Sequence, residues 1–420
     1  MFASGETMAS GSPLAQLVIK AGHHDRFMCP VEVSVGRDAL DPALYAALAS
    51  VQRNPAAAPG NRGLARPKQG EGSPTWIKLL REDLSGEIPC QVITHSGEDD
   101  AVAIRFILEH LSAGEEERLL VVAATPDEND TADRGQVELI PDDAELRVLI
   151  DGEYFTSYVF DDNYAKPFLG PILGPYGHWI TRLDHETREH PHQRSMWVAI
   201  GDVNQVDVWN EPAGRHGKQL HKGFAYIDSG PVSAEFRADN VWTAFDGTPL
   251  IDETRTISIY RTPAWLRIVD LDIEFKAEYG TVVFGRTKEA GPLGIRVAES
   301  MKVTNGGVIE NSVGSISEKE TWGKRAHWCD YSGSVEGHRV GIAVFDHPDN
   351  PGHPTHWHVR DYGLMAPNNF YFTGPLSLEK GERLRYRYRV ITHLGGAKEG
   401  RVGERYHDYI NKPSVVITRA

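Results

Sequence analysis

What this 420-residue sequence lacks narrows it first. Its three cysteines, Cys29, Cys90 and Cys329, are too few and too scattered for a disulfide framework or a cysteine zinc site, which fits a reduced, cytoplasmic setting. No apolar run approaches the roughly 18 residues of a membrane span. Residues 1–13 are small and polar, without the basic start and apolar stretch of a signal peptide, and read as a disordered N-terminus. A phosphate-binding loop, a dinucleotide fingerprint, a Gly-x-Ser-x-Gly elbow and a His-Glu-x-x-His helix are all missing, which disfavours nucleotide, serine-hydrolase and zincin chemistry. A net charge of −15 argues against a nucleic-acid backbone or an anionic membrane as partner. Helical periodicity is scarce. Only Gly403–Ile410 reads as helical, and the Ala/Leu-rich stretch 41–51 allows a short helix.

What is present is a succession of short alternating runs. They begin at Leu17 and at Pro30–Val35, and Glu87–Thr94, Ala101–Leu108 and Leu119–Ala124 follow. Residues 53–74 are rich in Pro, Gly, Ala and Arg without periodicity and read as a long mobile loop. The acidic run 125–134 reads as a solvated linker. These features predict an all-β chain. Residues 14–134 form a small β-sandwich domain. Residues 135–420 form a large antiparallel two-sheet sandwich, the ligand-binding or catalytic domain.

Chemistry concentrates in histidines. Ten of the 18 lie in two windows, 178–192 and 327–358. In the first, His190-Pro191-His192-Gln193-Arg194 opens a run that ends at Asp202-Val203-Asn204. On an extended strand over 190–200, His190, His192 and Arg194 share one face. Such a pair suits proton transfer or substrate binding, metal ligation with a third ligand, or plain structural hydrogen bonding. Asp202 and Asn204 suit sugar hydroxyls or a turn. The second window is mostly loop and carries His356, Trp357, His358, Arg360 and Asp361. Asp361 can orient His358 and fix its tautomer. Lys288 follows a Gly-Arg-Thr turn, and Arg296 with Glu299 can hold a carboxylate ready for proton abstraction or form a surface ion pair. Among the tryptophans, Trp357 is the one expected to face ligand.

The runs His190–Arg194 with Trp197 and Gly201–Asn204, Trp322–Arg325, Asp346-His347-Pro348 with Asn350, and Trp357–Gly363 resemble the bacterial PmoA-like family, a domain of unknown function, over roughly residues 140–395. The sequence departs from that pattern at Gln193, Ser195 and Met196, where His, Gly and Leu are expected, and at Asn369, where Pro is expected. The label "methane oxygenase" on that family implies a membrane-embedded copper enzyme, which a chain without a membrane span does not fit. The resemblance implies a galactose-mutarotase-like supersandwich and a role in carbohydrate catabolism.

The reading that results is a carbohydrate-active enzyme acting on a sugar or oxidised (keto) sugar or glycoside by epimerisation, elimination or hydrolysis. His192, His358, Asp361 and Glu299 are its catalytic candidates. His190, Arg194, Asp202, Asn204, Lys288, Arg296, Trp357 and Arg360 are its substrate-binding candidates. No cofactor is expected. Two alternatives stay open: a metal-dependent enzyme with a divalent metal ion on His190, His192 and His358, and a non-catalytic carbohydrate-binding or accessory subunit. The expected partner is a small-molecule carbohydrate, with a homo-oligomer or a partner enzyme subunit allowed.

Overall fold

The computed structural model describes residues 13–36, 45, 76–95, 101–124, 135–183, 189–289 and 291–419. The expected disordered start, the helix over 41–51, the loop 53–74 and the linker 125–134 lie almost wholly outside these residues. The described residues are mainly β-sheet, as the alternating runs predict, and every strand pairing among them is antiparallel. Among the described residues no helix is long and apolar enough to cross a membrane.

The N-terminal sandwich packs a five-stranded sheet on a three-stranded one through Leu17, Ile19, Ile104, Phe106, Leu119 and Val121. One of its strands comes from the far end of the chain. Ser414–Arg419 pairs with Ala15–Lys20 in register Ala15↔Arg419 to Lys20↔Ser414. Residues 414–419 therefore leave the large domain, to which the sequence assigned everything from 135 onward. The reason is that Val416 and its neighbours supply the partner that the edge of strand 15–20 would otherwise lack.

The large domain is two eight-stranded sheets face to face. Their inner faces meet through Val148, Ile295, Val359 and Met365 on one side and Phe236, Ile257, Ile273 and Val344 on the other. Alternation drives this. Ser233–Thr243 and Leu266–Lys276 bury nearly every second residue, so each strand gives one face to the core. One polar chain crosses that core. Arg255 Nε and Nη2 donate to both oxygens of Glu253 at 2.7 and 3.0 Å, and Nη2 also reaches Gln219 Oε1 at 3.3 Å. Gln219 Nε2 then donates to the carbonyl of Val198 in the facing sheet at 2.7 Å. A buried, fully paired chain of this kind fixes the register between sheets, because any slip leaves charges unpaired in the interior.

The outer faces of the two sheets have different fates. That of the sheet containing strand 233–243 is covered. Arg105 of the N-terminal domain donates to Ser233 Oγ at 2.8 Å. Tyr406 and Tyr409 of the helix Val402–Ile410 pack on Ile268, Phe345 and Ile391. The sheet ordered 356–360, 364–368, 293–296, 196–198, 168–169, 153–159, 145–150, 137–141 carries His356 and His358 on its edge strand and the 190–195 segment beside strand 196–198.

Candidate functional site

Strand His356–Arg360 lies at the edge of that sheet. Alternation sends Trp357 and Val359 into the core and His356, His358 and Arg360 to the outer face. Trp357 is therefore not the ligand-facing tryptophan. Its indole is fully buried and donates to the carbonyl of Ala326 at 2.9 Å. Across the outer face the register runs His358↔Ala366, then Gly294↔Trp197, then Trp197↔Phe168. Two small residues thus separate His358 from Trp197, three strand steps of about 4.8 Å apart. Gly294 is required to be small. A Cβ there would stand 2.6 Å from the Trp197 ring and 3.0 Å from the Trp209 ring. The two indoles, both fully buried, meet edge to face at 5.2 Å and form an aromatic floor beneath the outer face, and among the described residues neither of their N–H groups has a hydrogen-bond partner.

The opening motif is not a strand. Only Met196–Val198 is extended, and residues 190–195 make a tight turn. His190 and Ser195 both have φ of 49°, and the Gln193 amide donates to the His190 carbonyl at 3.0 Å. Pro191 fits the second position of such a turn, and the left-handed residues break the alternation on which a shared face depended. His190 and His192 instead sit with rings 5.8 Å apart and nearly perpendicular. His190 stacks on Tyr362 at 4.8 Å, and the Arg296 guanidinium lies 4.5 Å from the same Tyr362 ring.

His192 is buried among charges, and its Nε2 has no partner. Burial, then Lys166, push its pKa down to about 3, so it is a neutral imidazole at physiological pH. Lys166 donates to the Trp209 carbonyl at 3.0 Å and to Glu211. Arg194 forks onto Glu211 at 2.9 and 3.2 Å and covers the Tyr164 ring at 4.9 Å. Burial raises the Glu211 carboxyl, but Lys166 and Arg194 outweigh it and hold it at about 2. Arg194 therefore serves a buried ion network. Lys166 and Glu211, distant in sequence and in no motif, were not legible as site residues.

Beside this network, Arg182, Arg296 and Lys302 share two carboxylates. Arg296 Nη2 lies 3.5 Å from Glu189 and 3.6 Å from Glu299, and Arg182 lies 3.7 Å from Glu299. Lys302 pairs with Glu299 and, at 3.2 Å, with Glu189. Gln193 accepts from Arg296 Nη1 at 2.7 Å. Glu299 thus sits in an ion network with three cations, and among the described residues its recorded ion partners include no histidine.

His358 has the opposite surroundings. It is 3 % exposed, and among the described residues neither ring nitrogen completes a well-formed hydrogen bond, although the Lys288 carbonyl acts on the ring. Burial, then Arg360 and Lys288, hold its pKa at about 3 against the weak opposing pull of the Lys288 backbone. Asp361 does not orient it. The Asp361 carboxylate accepts from the Glu318 amide at 3.1 Å, the Asp361 amide donates to Glu318 Oε2 at 2.8 Å, and Arg360 pairs with Glu318 Oε1 at 2.7 Å. The Arg360 guanidinium lies over the Trp322 ring, whose N–H is also buried without a partner. Asp202 and Asn204 make the turn at the far end of the motif. Asp202 accepts from the Gln205 amide at 2.7 Å, and Asn204 bonds to the backbone of Val283 at 2.7 Å and of Thr281 at 3.2 Å. Their hydrogen bonds hold the loop rather than a ligand.

Two motifs act as anchors for the His358 strand. Asp346, fully buried, accepts from Asn350 at 2.8 Å, from His353 at 2.7 Å and from the Thr355 amide at 2.9 Å. Thr355 in turn donates to Asn369 at 2.7 Å. Together they fix the loop that delivers His356–Arg360. Lys288 extends into solvent 3.6 Å from Glu289, while its carbonyl accepts from Asn368. Among the described residues no group of three His, Cys, Asp or Glu side chains is arranged to hold a metal ion. The His190, His192 and His358 trio of the metal reading is not assembled as such a group.

No curated protein matches this sequence. A solved structure of a protein in the glycosyl hydrolase family 38 from Enterococcus faecalis is similar at 8% identity, with a TM-score of 0.42 over 96% of this chain and 47% of that one. This chain therefore spans about half the length of that protein. A family model matches residues 145–407, more than half the chain and nearly all of the large sandwich. The His190–Arg194 turn, the indole floor and the His358 strand all fall inside that match, so the chain belongs to the family of unknown function DUF6807.

Proposed function

We propose that this protein is a carbohydrate-active enzyme, of the PmoA-like kind that its motifs resemble, which takes a sugar or an oxidised sugar on the outer face between His192 and His358. The observation that supports this most is the chemistry of the unpaired groups on this face, since unpaired buried atoms occur elsewhere too, as at Tyr386, Tyr388 and Thr392, but here they are imidazole and indole nitrogens. Among the described residues, His192 Nε2, both nitrogens of His358, and the indole N–H groups of Trp197, Trp209 and Trp322 are buried without well-formed hydrogen bonds. Each unpaired buried group costs about 1–3 kcal/mol, and native folds rarely leave them so. A ligand with many hydroxyl oxygens satisfies donors and acceptors together. The supersandwich that the resemblance implies fits this reading, as does a cytoplasmic catabolic role.

Sugars of this class are expected to bind the wild-type protein and raise its melting temperature. His192→Gln and His358→Gln each weaken binding about tenfold or more, the loss of one or two buried hydrogen bonds. Calorimetric titration with glucose, galactose, fructose and a methyl 3-ketoglucoside checks it, and heat-silent titrations for all four would defeat the reading. A non-catalytic binding or accessory role is favoured by one observation: imidazoles with pKa values of about 3 are weak bases.

A further inference from the structure

The edge of the sheet beside His358 carries aromatic rings that, unlike the indole floor, are only half-buried. Trp322, Tyr371, Phe372 and His356 each keep part of their surface open to solvent. They form a connected row. Trp322 meets His358 at 6.4 Å, Tyr371 at 5.8 Å and Phe372 at 5.2 Å. Tyr371 and Phe372 meet at 5.0 Å, and Phe372 stacks on His356 at 4.5 Å. The packing behind the row is tight, since a Cβ at Gly323 would stand 2.7 Å from the Phe372 ring. A cation stands at each end. Arg286 lies 5.7 Å from the Tyr371 ring centroid, and its Nε donates to the Tyr371 carbonyl at 2.7 Å. Arg325 bridges antiparallel to His356, and its Nη1 donates to the carbonyls of Gly352 at 3.1 Å and Pro354 at 3.2 Å. Both arginines are exposed, and among the described residues neither pairs with a carboxylate. The other sheet treats its outward arginines differently. Arg383, Arg385 and Arg387 pair with Glu274, Asp272 and Asp349. At the row, backbone carbonyls hold the guanidinium in place and leave its charge unneutralised. Arg286 keeps Nη1 and Nη2 for a ligand, and Arg325 keeps Nε and Nη2. Each pair presents two parallel N–H groups, the fork that matches a carboxylate.

We infer that this row is a subsite for a sugar that carries a carboxylate, its ring against Tyr371 and Phe372 and its carboxylate forked by Arg286, with Arg325 placed for the acid group of a second sugar unit. This rests on the carbohydrate reading above and narrows it. The two halves of such a ligand meet the two halves of the row. Half-buried rings take the apolar C–H face of a sugar, and a preorganised guanidinium takes its carboxylate without first being ordered. Rings set between cations also suit a single-stranded nucleic acid. A chain with a net charge of −15 repels a backbone that carries a charge on every unit, and a sugar with one or two carboxylates meets far less of that repulsion.

The test is a matched titration of the full chain with galactose, galacturonate and digalacturonate, at low and at high salt, beside a single-stranded oligonucleotide of thymidine. Galacturonate is expected to bind about tenfold or more tighter than galactose at low salt, and high salt narrows the gap. Digalacturonate binds tighter still. Arg286→Gln, a change at an exposed position, brings galacturonate to within about threefold of galactose and leaves galactose itself unchanged. Arg325→Gln acts on digalacturonate and leaves galacturonate within about twofold. Equal affinity for galactose and galacturonate overturns this inference and leaves the carbohydrate reading standing, as does a preference for galacturonate that Arg286→Gln does not reduce. Oligonucleotide binding that Arg286→Gln abolishes, with every sugar silent, overturns both and makes the row a nucleic-acid surface. Silence of every ligand also removes both.

Discussion

Between pH 6.5 and about 4.5 the protein is expected to lose several kcal/mol of stability, carried by histidines rather than carboxylates. His192 and His358 are held neutral in the fold, with pKa values pushed down to about 3, while in the unfolded chain each titrates near 6.5. The unfolded state therefore binds more protons throughout that window. Stability rises with pH wherever this is so, and it is lost as pH falls. Over two pH units each group contributes roughly 2–3 kcal/mol. His221 and His347, held at about 4 chiefly by burial, act in the same direction. Carboxylates that are stabilised when ionised, such as Glu211, come into play only below their unfolded value of 4.5. Urea unfolding at half-unit pH steps measures the effect. His358→Gln is expected to shrink the difference between pH 6.5 and 4.5 by roughly 2–3 kcal/mol. An unchanged slope in that variant would mean that His358 is not held neutral by burial.

Gly294→Val is expected to damage the site more than any other single change on the outer face. The added Cβ would stand 2.6 and 2.7 Å from atoms of the Trp197 ring and 3.0 Å from Trp209, and neither indole has free space, being fully buried. Overpacking of this kind costs about 1–3 kcal/mol. The larger consequence is for binding. Displaced indoles no longer form a floor between His358 and His192, so sugar binding falls at least tenfold while the N-terminal sandwich is untouched. Thermal unfolding with a parallel sugar titration checks both effects. Binding that survives Gly294→Val would place the ligand elsewhere.

The fold was legible wherever strands alternate over eight or more residues. Ser233–Thr243, Pro249–Tyr260 and Leu266–Lys276 are of this kind, and the helix Val402–Ile410 was found within one residue. Short strands were not. Leu293–Arg296 and Leu364–Asn368 are four and five residues long and nearly all buried, so they show no period. His356–Arg360 was hidden among Pro and Gly and read as loop. Treated as a strand, its alternation would have sent His358 and Arg360 outward and Trp357 inward. The site was legible in part. The sequence singled out His192, His358, Arg194 and Arg296, and all four stand on or beside the outer face. It misjudged the partners, because Glu318, Glu211 and Lys166 reach them only through the fold, and no spacing announces that Asp361 turns toward the Glu318 amide.

A crystal soaked with a keto sugar tests the central claim most directly. The sugar is predicted to lie over the Trp197–Gly294 floor, with oxygens within hydrogen-bond distance of His192 and His358. A sugar bound on another surface, or one whose oxygens leave His192 and His358 unpaired, would contradict it.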